Sequence, residues 1–359
     1  MASALYGPGG FFTTGPGPAA HFRTSVHAGP IFVSAILRLL QRVDATLGHP
    51  DRLDLVDVGA GRGELLAELA RQAAPALANR LRLTAVELAA RPGSLPGGIE
   101  WRSDLPTGVT GLLLATEWLD NVPLDVAGWG PAGWRRILVE PATGAETAGG
   151  PLDPAEAAWL ADWWPAPAAS TLGPATPAMP GPPDDLAGPC AVRAEIGLHR
   201  DLAWADAVRS VHRGLAVAVD YGHLRAGRPA GGTLTAYRAG RQVPPVPDGS
   251  CDLTAHVAVD AVAAAGQEVA GTPYTLVRQR EALRTLGVDG ARPPLTLASS
   301  DPAGYVRALA AASTAAELVD RVGLGDHWWL CQPVGIEPSA DWARTWHDDG
   351  HDRGDRGVA

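Results

Sequence analysis

Apolar residues first recur at helical spacing over residues 31–47. Ile31, Phe32, Ala35, Ile36, Leu39, Leu40 and Val43 fall at i, i+3 and i+4 intervals, and Gly48 stops the run. The period then changes. Residues 53–58 (LDLVDV) are a short apolar run ending in glycine, the pattern of a strand buried in a parallel sheet. Residues 63–79 return to helical spacing, with a break expected near Pro75. Strands are predicted at 81–88 (LRLTAVEL), 99–101, 111–116 (GLLLAT) and 134–140. Strand and helix alternating at this rhythm predict an α/β fold, a mostly parallel sheet with helices on both faces.

The pattern lapses over residues 141–190, which are rich in Pro, Ala and Gly and hold one predicted helix at 155–164. Such a stretch reads as a surface insertion. Order returns with a helix predicted at 191–212 and a strongly apolar strand at 215–221 (LAVAVDY). Helices are expected at 254–265 and 276–286, and a late strand at 327–334 (HWWLCQPV). The implied organisation is an N-terminal cap segment and helix (1–50), a first half of the core (51–140), a Pro-rich, helical insertion (141–212), the remaining core with substrate-side elements (213–338), and a charged, Gly-rich tail (339–359) expected to fray.

Composition narrows the class. Hydrophobic residues make up 46% of the 359, enough for a sizeable core, so wholesale disorder is excluded. The net charge is −10 and no basic run occurs, which argues against a nucleic-acid partner. Cys190, Cys251 and Cys331 lie far apart with no CxxC spacing, so neither a zinc site nor a disulfide framework is expected. The scattered histidines show no metal-ligand spacing. With no signal-peptide pattern and no run of about 18 apolar residues, a cytoplasmic protein without membrane insertion is expected.

Candidate chemistry centres on Val56-Asp57-Val58-Gly59-Ala60-Gly61-Arg62-Gly63-Glu64, where a strand becomes a helix. Gly59, Gly61 and Gly63 let the backbone turn sharply and approach a ligand closely. Glu64 stands where a dinucleotide fingerprint places its third glycine. Asp57, at the strand end, favours a ligand ammonium over a pyrophosphate. Glu87 ends the next strand, where a carboxylate accepts ribose hydroxyls. Together these point to S-adenosyl-L-methionine rather than NAD. Asp104 follows the third strand, as an acceptor for the adenine amino group or as a turn cap. Glu117 and Asp120 follow the fourth, as a carboxylate pair able to hold a guanidinium or as capping and surface residues. His223 ends a further strand, as a general base, a substrate contact or a loop-closing residue. His256 falls in the first turn of a predicted helix.

Seven blocks in this order, ALYGPGGFF, HFRTS, VDVGAGRGEL, TEWLDNVPL, VDYGH, GTLTAYR and DLTAHV, resemble the MidA-type class I methyltransferases, relatives of the mitochondrial complex I assembly arginine methyltransferase. The resemblance spans residues 4–335. It implies a Rossmann-like methyltransferase core with an inserted, largely helical subdomain. It implies that Gly59, Gly61, Gly63 and Glu87 border S-adenosyl-L-methionine, that Glu117 and Asp120 face the acceptor, and that Thr24 and Ser25 bring the N-terminal segment over the donor. The implied activity is methylation of a protein arginine, with a respiratory-complex-type subunit as partner. A small-molecule acceptor and a non-catalytic donor-binding assembly factor are the alternatives. The sequence departs from the family pattern at His27, at Gly240 or Arg241, and at Ala258, and begins almost at the ALYGP block.

Overall fold

A computed structural model describes residues 1–14, 29–164, 166, 192–288 and 290–336. Two short helices, α1 (Ala2–Tyr6) and α2 (Phe11–Thr14), precede α3 (Pro30–Thr46). The chain then runs through β1 (Leu53–Val58), α4 (Glu64–Gln72), α5 (Pro75–Ala78), β2 (Leu81–Val86), β3 (Ile99–Arg102) and β4 (Val109–Thr116). Next come β5 (Asp125–Gly130), β6 (Gly133–Val139), β7 (Glu146–Pro151), α6 (Pro154–Trp163), β8 (Arg193–Ile196), α7 (Leu198–Ser210) and β9 (Val211–Asp220). Short strands β10 (Gly222–His223), β11 (Thr235–Arg238), β12 (Arg241–Val243), β13 (Asp252–Thr254) and β14 (Val257–Ala258) lead into α8 (Val259–Ala270). The remaining elements are β15 (Thr275–Arg278), α9 (Gln279–Thr285), α10 (Leu295–Ser300), α11 (Pro302–Leu318) and β16 (Trp328–Val334).

The central sheet has seven strands in the order β15-β16-β9-β4-β1-β2-β3. Six run in one direction, and β16 alone is reversed, antiparallel to its neighbours β9 and β15. Both faces are covered. Alternate residues of β1, β4 and β9 (Leu53, Leu55, Leu112, Leu114, Leu215, Val217) pack under Phe32, Ile36 and Leu40 of α3 and Leu65, Leu66 and Leu69 of α4. Their neighbours Val56, Val58, Leu113, Ala216 and Ala218 meet Trp204 and Val208 of α7 and Val259 and Val262 of α8. Because side chains alternate along a strand, a sheet covered twice must be apolar at nearly every position, as LDLVDV and LAVAVD are. Truncating one of these buried leucines to alanine costs about 2–5 kcal/mol.

Two smaller sheets flank this core. β7-β6-β5-β8 is antiparallel and packs with α6 through Trp159, Leu160, Ala194 and Ile196. β12-β11-β13 carries α1 on it, with Ala4, Leu5 and Phe11 against Ala236, Cys251 and Leu253.

Three predicted helices begin differently. Residues 193–196 are a strand paired with β5 before α7 starts, 252–254 and 257–258 are strands before α8, and 275–278 pairs with β16 before α9. In each case two to four residues are too few to separate a period of 2 from one of 3.6. Pairing with a distant strand decides. His256 accordingly lies in a loop, not in a helical turn.

Among the described residues, no helix is long and apolar enough to cross a membrane, and no group of three or more His, Cys, Asp or Glu side chains is placed to hold a metal. Cys251 and Cys331 are buried free thiols. Cys190, Thr24, Ser25, His27 and the tail lie outside the described residues.

Candidate functional site

The strand order reverses at β1, with β2 and β3 on one side and β4 and β9 on the other. Open α/β sheets bind ligands outside the carboxyl ends of their strands at such a point. A cavity of about 1070 Å³ lies there. Its wall is supplied by residues that follow successive strands: Gly59 and Gly61 after β1, Glu87 after β2, Ser103 and Leu105 after β3, Glu117, Trp118, Asp120 and Asn121 after β4, and Tyr221 after β9. Tyr6 and Phe12 from the N-terminal helices, Asp252, Thr254, Ala255, His256 and His327 also line it.

The half of the cavity at the glycine turn forms locally. Gly59, Gly61 and Gly63 have φ of 72°, 58° and 80°. A Cβ on Gly59 would lie 2.8 Å from the Trp118 ring, so only glycine lets that indole sit against the turn. A Cβ on Gly61 would meet only Glu64 Oε2 at 4.0 Å, leaving the backbone here open to the cavity. Gly63 precedes α4 and packs against Leu95. Glu87 links the two loops: Oε2 accepts from the Gly61 N–H at 3.0 Å and Oε1 from the Ala89 N–H at 3.1 Å. Asp57 is 4% exposed. Burial, then the Glu87 and Glu64 carboxylates, push its pKa up to about 8. Asp104 is exposed beside the cavity and accepts from Arg102 at 2.7 Å. Glycine backbone free to meet a ligand, with a carboxylate at the next strand end, fits the ribose and amino-acid portions of S-adenosyl-L-methionine.

The other half forms from parts distant in sequence. Glu117 has φ of 51° and donates its N–H to the Val219 carbonyl at 2.8 Å, so β9 holds the turn after β4 in a left-handed conformation. Asp120 is buried. Its Oδ1 accepts from Asn121 Nδ2 at 2.9 Å, and its Oδ2 from the Tyr221 hydroxyl and from Thr254 Oγ1 at 2.6 Å. Burial and the neighbouring carboxylates of Asp120 and Glu117 raise the Asp220 carboxyl well above its usual range; this carboxyl accepts the Asp120 N–H. Burial likewise raises the Tyr6 and Tyr221 hydroxyls. Tyr221 lies between His256 and His327, at ring distances of 5.2 and 5.5 Å.

Beneath both loops sits Arg200 of α7, 1% exposed. Its guanidinium donates to the carbonyls of Val122, Ala255, His256 and Asp120. No motif in the sequence marked it. Nor did any mark His327, which precedes an antiparallel strand and reaches the cavity only because β16 is reversed. Tyr221, Thr254, Asp252 and Tyr6 did lie inside blocks that resemble the family.

His223 stands apart from the cavity. Its ring packs edge-on against Trp164, and Nδ1 faces Arg228 Nη1 at 2.6 Å. Burial, then Arg228 and His256, lower its pKa to about 3, so the ring is neutral at physiological pH. The structure thus brings Gly59, Gly61, Glu87, Glu117 and Asp120 to one cavity and places Asp57 beneath its turn. It leaves Gly63, Asp104 and His223 outside the wall.

The family described as "Putative S-adenosyl-L-methionine-dependent methyltransferase" matches residues 35–276. Two solved structures from Burkholderia thailandensis share the fold. One, described as a "likely methyl transferase" bound to S-adenosyl-homocysteine, is 22% identical with a TM-score of 0.68, over 89% of this chain and 80% of that one. The other, described as an uncharacterized protein of the same superfamily, is 22% identical with a TM-score of 0.69, over 99% of this chain and 89% of that one. No curated protein matches.

Proposed function

We propose that this chain, which belongs to the S-adenosyl-L-methionine-dependent methyltransferase family, methylates a side-chain guanidinium of a protein. The observation that carries the reading is the charge of the wall. Glu87, Glu117, Asp120 and Asp326 line the cavity, and among the described residues Arg62 is the one arginine in that lining. A cationic acceptor is drawn to such a wall, and an anionic one is repelled. The resemblance of TEWLDNVPL and its companion blocks to MidA-type arginine methyltransferases supports the same reading.

S-adenosyl-L-methionine supplies an electrophilic methyl group, whose carbon leaves the sulfonium with the electron pair returning to sulfur as the N–C bond forms. Gly59, Gly61 and Glu87 hold the donor, with Asp57 below them as the carboxylate nearest the turn. An arginine stays protonated near neutral pH, so its nitrogen is a weak nucleophile until it is positioned and its charge offset. Glu117 stands at the join of the two halves. It balances the guanidinium charge during transfer and takes the proton that nitrogen gives up. Asp120, pinned by Tyr221, Thr254 and Asn121, keeps the acceptor loop in place and adds negative potential. His223 has no part in this scheme.

Transfer of labelled methyl groups to a cell extract, separated into protein and small-molecule fractions, tests the acceptor class. Label is expected in protein, released by acid hydrolysis as methylarginine. Label confined to small molecules overturns the reading, and no transfer at all favours a donor-binding assembly factor. Glu117→Gln keeps the shape and removes the charge. Donor affinity is expected to stay within a few-fold while turnover falls on the order of 100-fold. Unchanged turnover makes the loop structural, and lost donor affinity moves Glu117 into the donor pocket.

A further inference from the structure

Asp252 is a side chain of the cavity wall to which the scheme above gives no chemical step. It lies on β13, paired through its backbone with Tyr237 of β11. It lines the cavity and is only 4% exposed, yet its Oδ1 has no hydrogen-bond partner among the described residues. A buried carboxylate oxygen without a donor is costly and needs a reason. The neighbourhood supplies none: Tyr6 spends its hydroxyl on the Asn121 carbonyl at 3.2 Å, and Asp120 is itself an acid. A second orphan shares the wall. Asn121 Nδ2 is committed to Asp120 Oδ1, which leaves Asn121 Oδ1 turned away from that carboxylate and unpartnered among the described residues.

Resting on the guanidinium reading, we propose that Asp252 and Asn121 form a subsite of two unclaimed oxygens that binds N–H edges of the incoming guanidinium and so selects arginine. Asp252 gives up its proton to solvent as the guanidinium charge arrives beside it, and then accepts through both oxygens. The chemistry is one of counting donors. A guanidinium presents five N–H groups in a planar fork, enough to meet Glu117 and these two oxygens at once. A lysine ammonium has three donors on a point charge, and a hydroxyl acceptor has one. Asp252 sits on the β13 segment that carries Thr254, a partner of Asp120, so recognition and the acceptor loop are built on the same strand. A residue kept buried and unpartnered for its ligand weakens the free protein. Its neutral isostere therefore stabilises the fold while losing the function.

The test compares the full-length wild type with Asp252→Asn. Labelled S-adenosyl-L-methionine is the donor, total protein of a cell extract is the acceptor, and methylarginine after hydrolysis is the readout. The variant is expected to need at least tenfold more protein for half-saturation, to bind S-adenosyl-homocysteine within threefold of wild type, and to melt at the same or a higher temperature. Half-saturation within threefold of wild type overturns the inference and leaves the guanidinium reading standing. Loss of S-adenosyl-homocysteine binding also overturns it, by placing Asp252 in the donor pocket. Absence of methylarginine with the wild type overturns the guanidinium reading, and the inference falls with it. Should Asp252→Asn not fold, Asp252→Ser is measured against the same outcomes.

Discussion

At the scale of single residues, the proposed donor half depends on one open stretch of backbone. Gly61 has φ of 58° and nothing but the Glu64 carboxylate within 4 Å of where a Cβ would stand. Gly61→Val places a branched side chain in the donor's space and forces a β-branched residue into the left-handed region, at about 1–2 kcal/mol. The fold should survive this. A ligand present at one hundred times its dissociation constant stabilises the native state by about 2.7 kcal/mol. The wild type should therefore melt several degrees higher with S-adenosyl-homocysteine, and Gly61→Val should show no shift. An equal shift in a folded Gly61→Val would remove the turn from the donor site. This part of the site was legible in the sequence because strand, turn and following helix are contiguous. Glycine spacing reports a local backbone path directly.

Among elements, the proposed acceptor half is a joint between two loops, and Arg200 is its fastener. Four carbonyls from 120–122 and 255–256 converge on one guanidinium with no water-exposed surface to replace it. Burial lowers its pKa, while the carboxylates of Asp120, Glu195 and Asp220 act to keep it charged. Arg200→Met leaves these carbonyls without a donor in a dry site. Removing one member of such a buried network costs about 3–5 kcal/mol, read as a lower midpoint in urea unfolding. Acceptor turnover should fall further than the Glu87-linked donor affinity. A loss below about 1 kcal/mol would mean that water replaces the guanidinium. The same joint is tied from above. Glu195 of β8 accepts from Thr233 Oγ1 at 2.7 Å, and that hydroxyl oxygen accepts the His256 N–H at 2.8 Å. Reading 191–212 and 254–265 as unbroken helices hid this joint, since the short strands that open both segments exist only through partners elsewhere in the chain.

For the whole molecule, the buried ionisable groups set a pH profile. Asp57 and Asp252 titrate near 8 and Asp201 near 7, each raised chiefly by burial. Folded, these carboxyls keep protons that the unfolded chain releases near pH 4, so they disfavour the native state progressively from pH 4 to 8. His223 and His327 are lowered to about 3 and 4, again chiefly by burial. Below pH 6.5 the unfolded chain binds protons that these rings refuse, so they disfavour the native state as pH falls. Between pH 4.5 and 6.5 the two sets oppose each other. Above 6.5 the histidines are silent and the carboxyls act alone, each contributing up to about 1.4 kcal/mol per pH unit. Three carboxyls outweigh two histidines, so the melting temperature should fall gently from pH 4.5 to 6.5 and more steeply from 6.5 to 8.5. Asp57→Asn and Asp252→Asn together should flatten the drop. A profile that rises across that upper range would show these carboxyls to be charged in the folded state.

What the sequence determined by itself is whatever nearest neighbours decide. The period of LDLVDV marks a strand covered on both faces, the glycines after it mark a turn that meets a ligand, and the spacing of residues 31–47 marks the helix that roofs one face. Those patterns were enough to place β1, β2, β4, β9, the glycine turn and Glu87 at the next strand end. Only the tertiary structure decided that Tyr221, Thr254 and Asp120 share one hydrogen-bond cluster across more than a hundred residues, that Asp120 is pinned, that His223 turns away to Arg228, and that Asp252 faces the cavity with an oxygen unclaimed. The physical reason is that a side chain's periodicity is fixed by its own backbone. Its hydrogen-bond partners and its dielectric surroundings are fixed by the packing of segments that the chain order keeps apart.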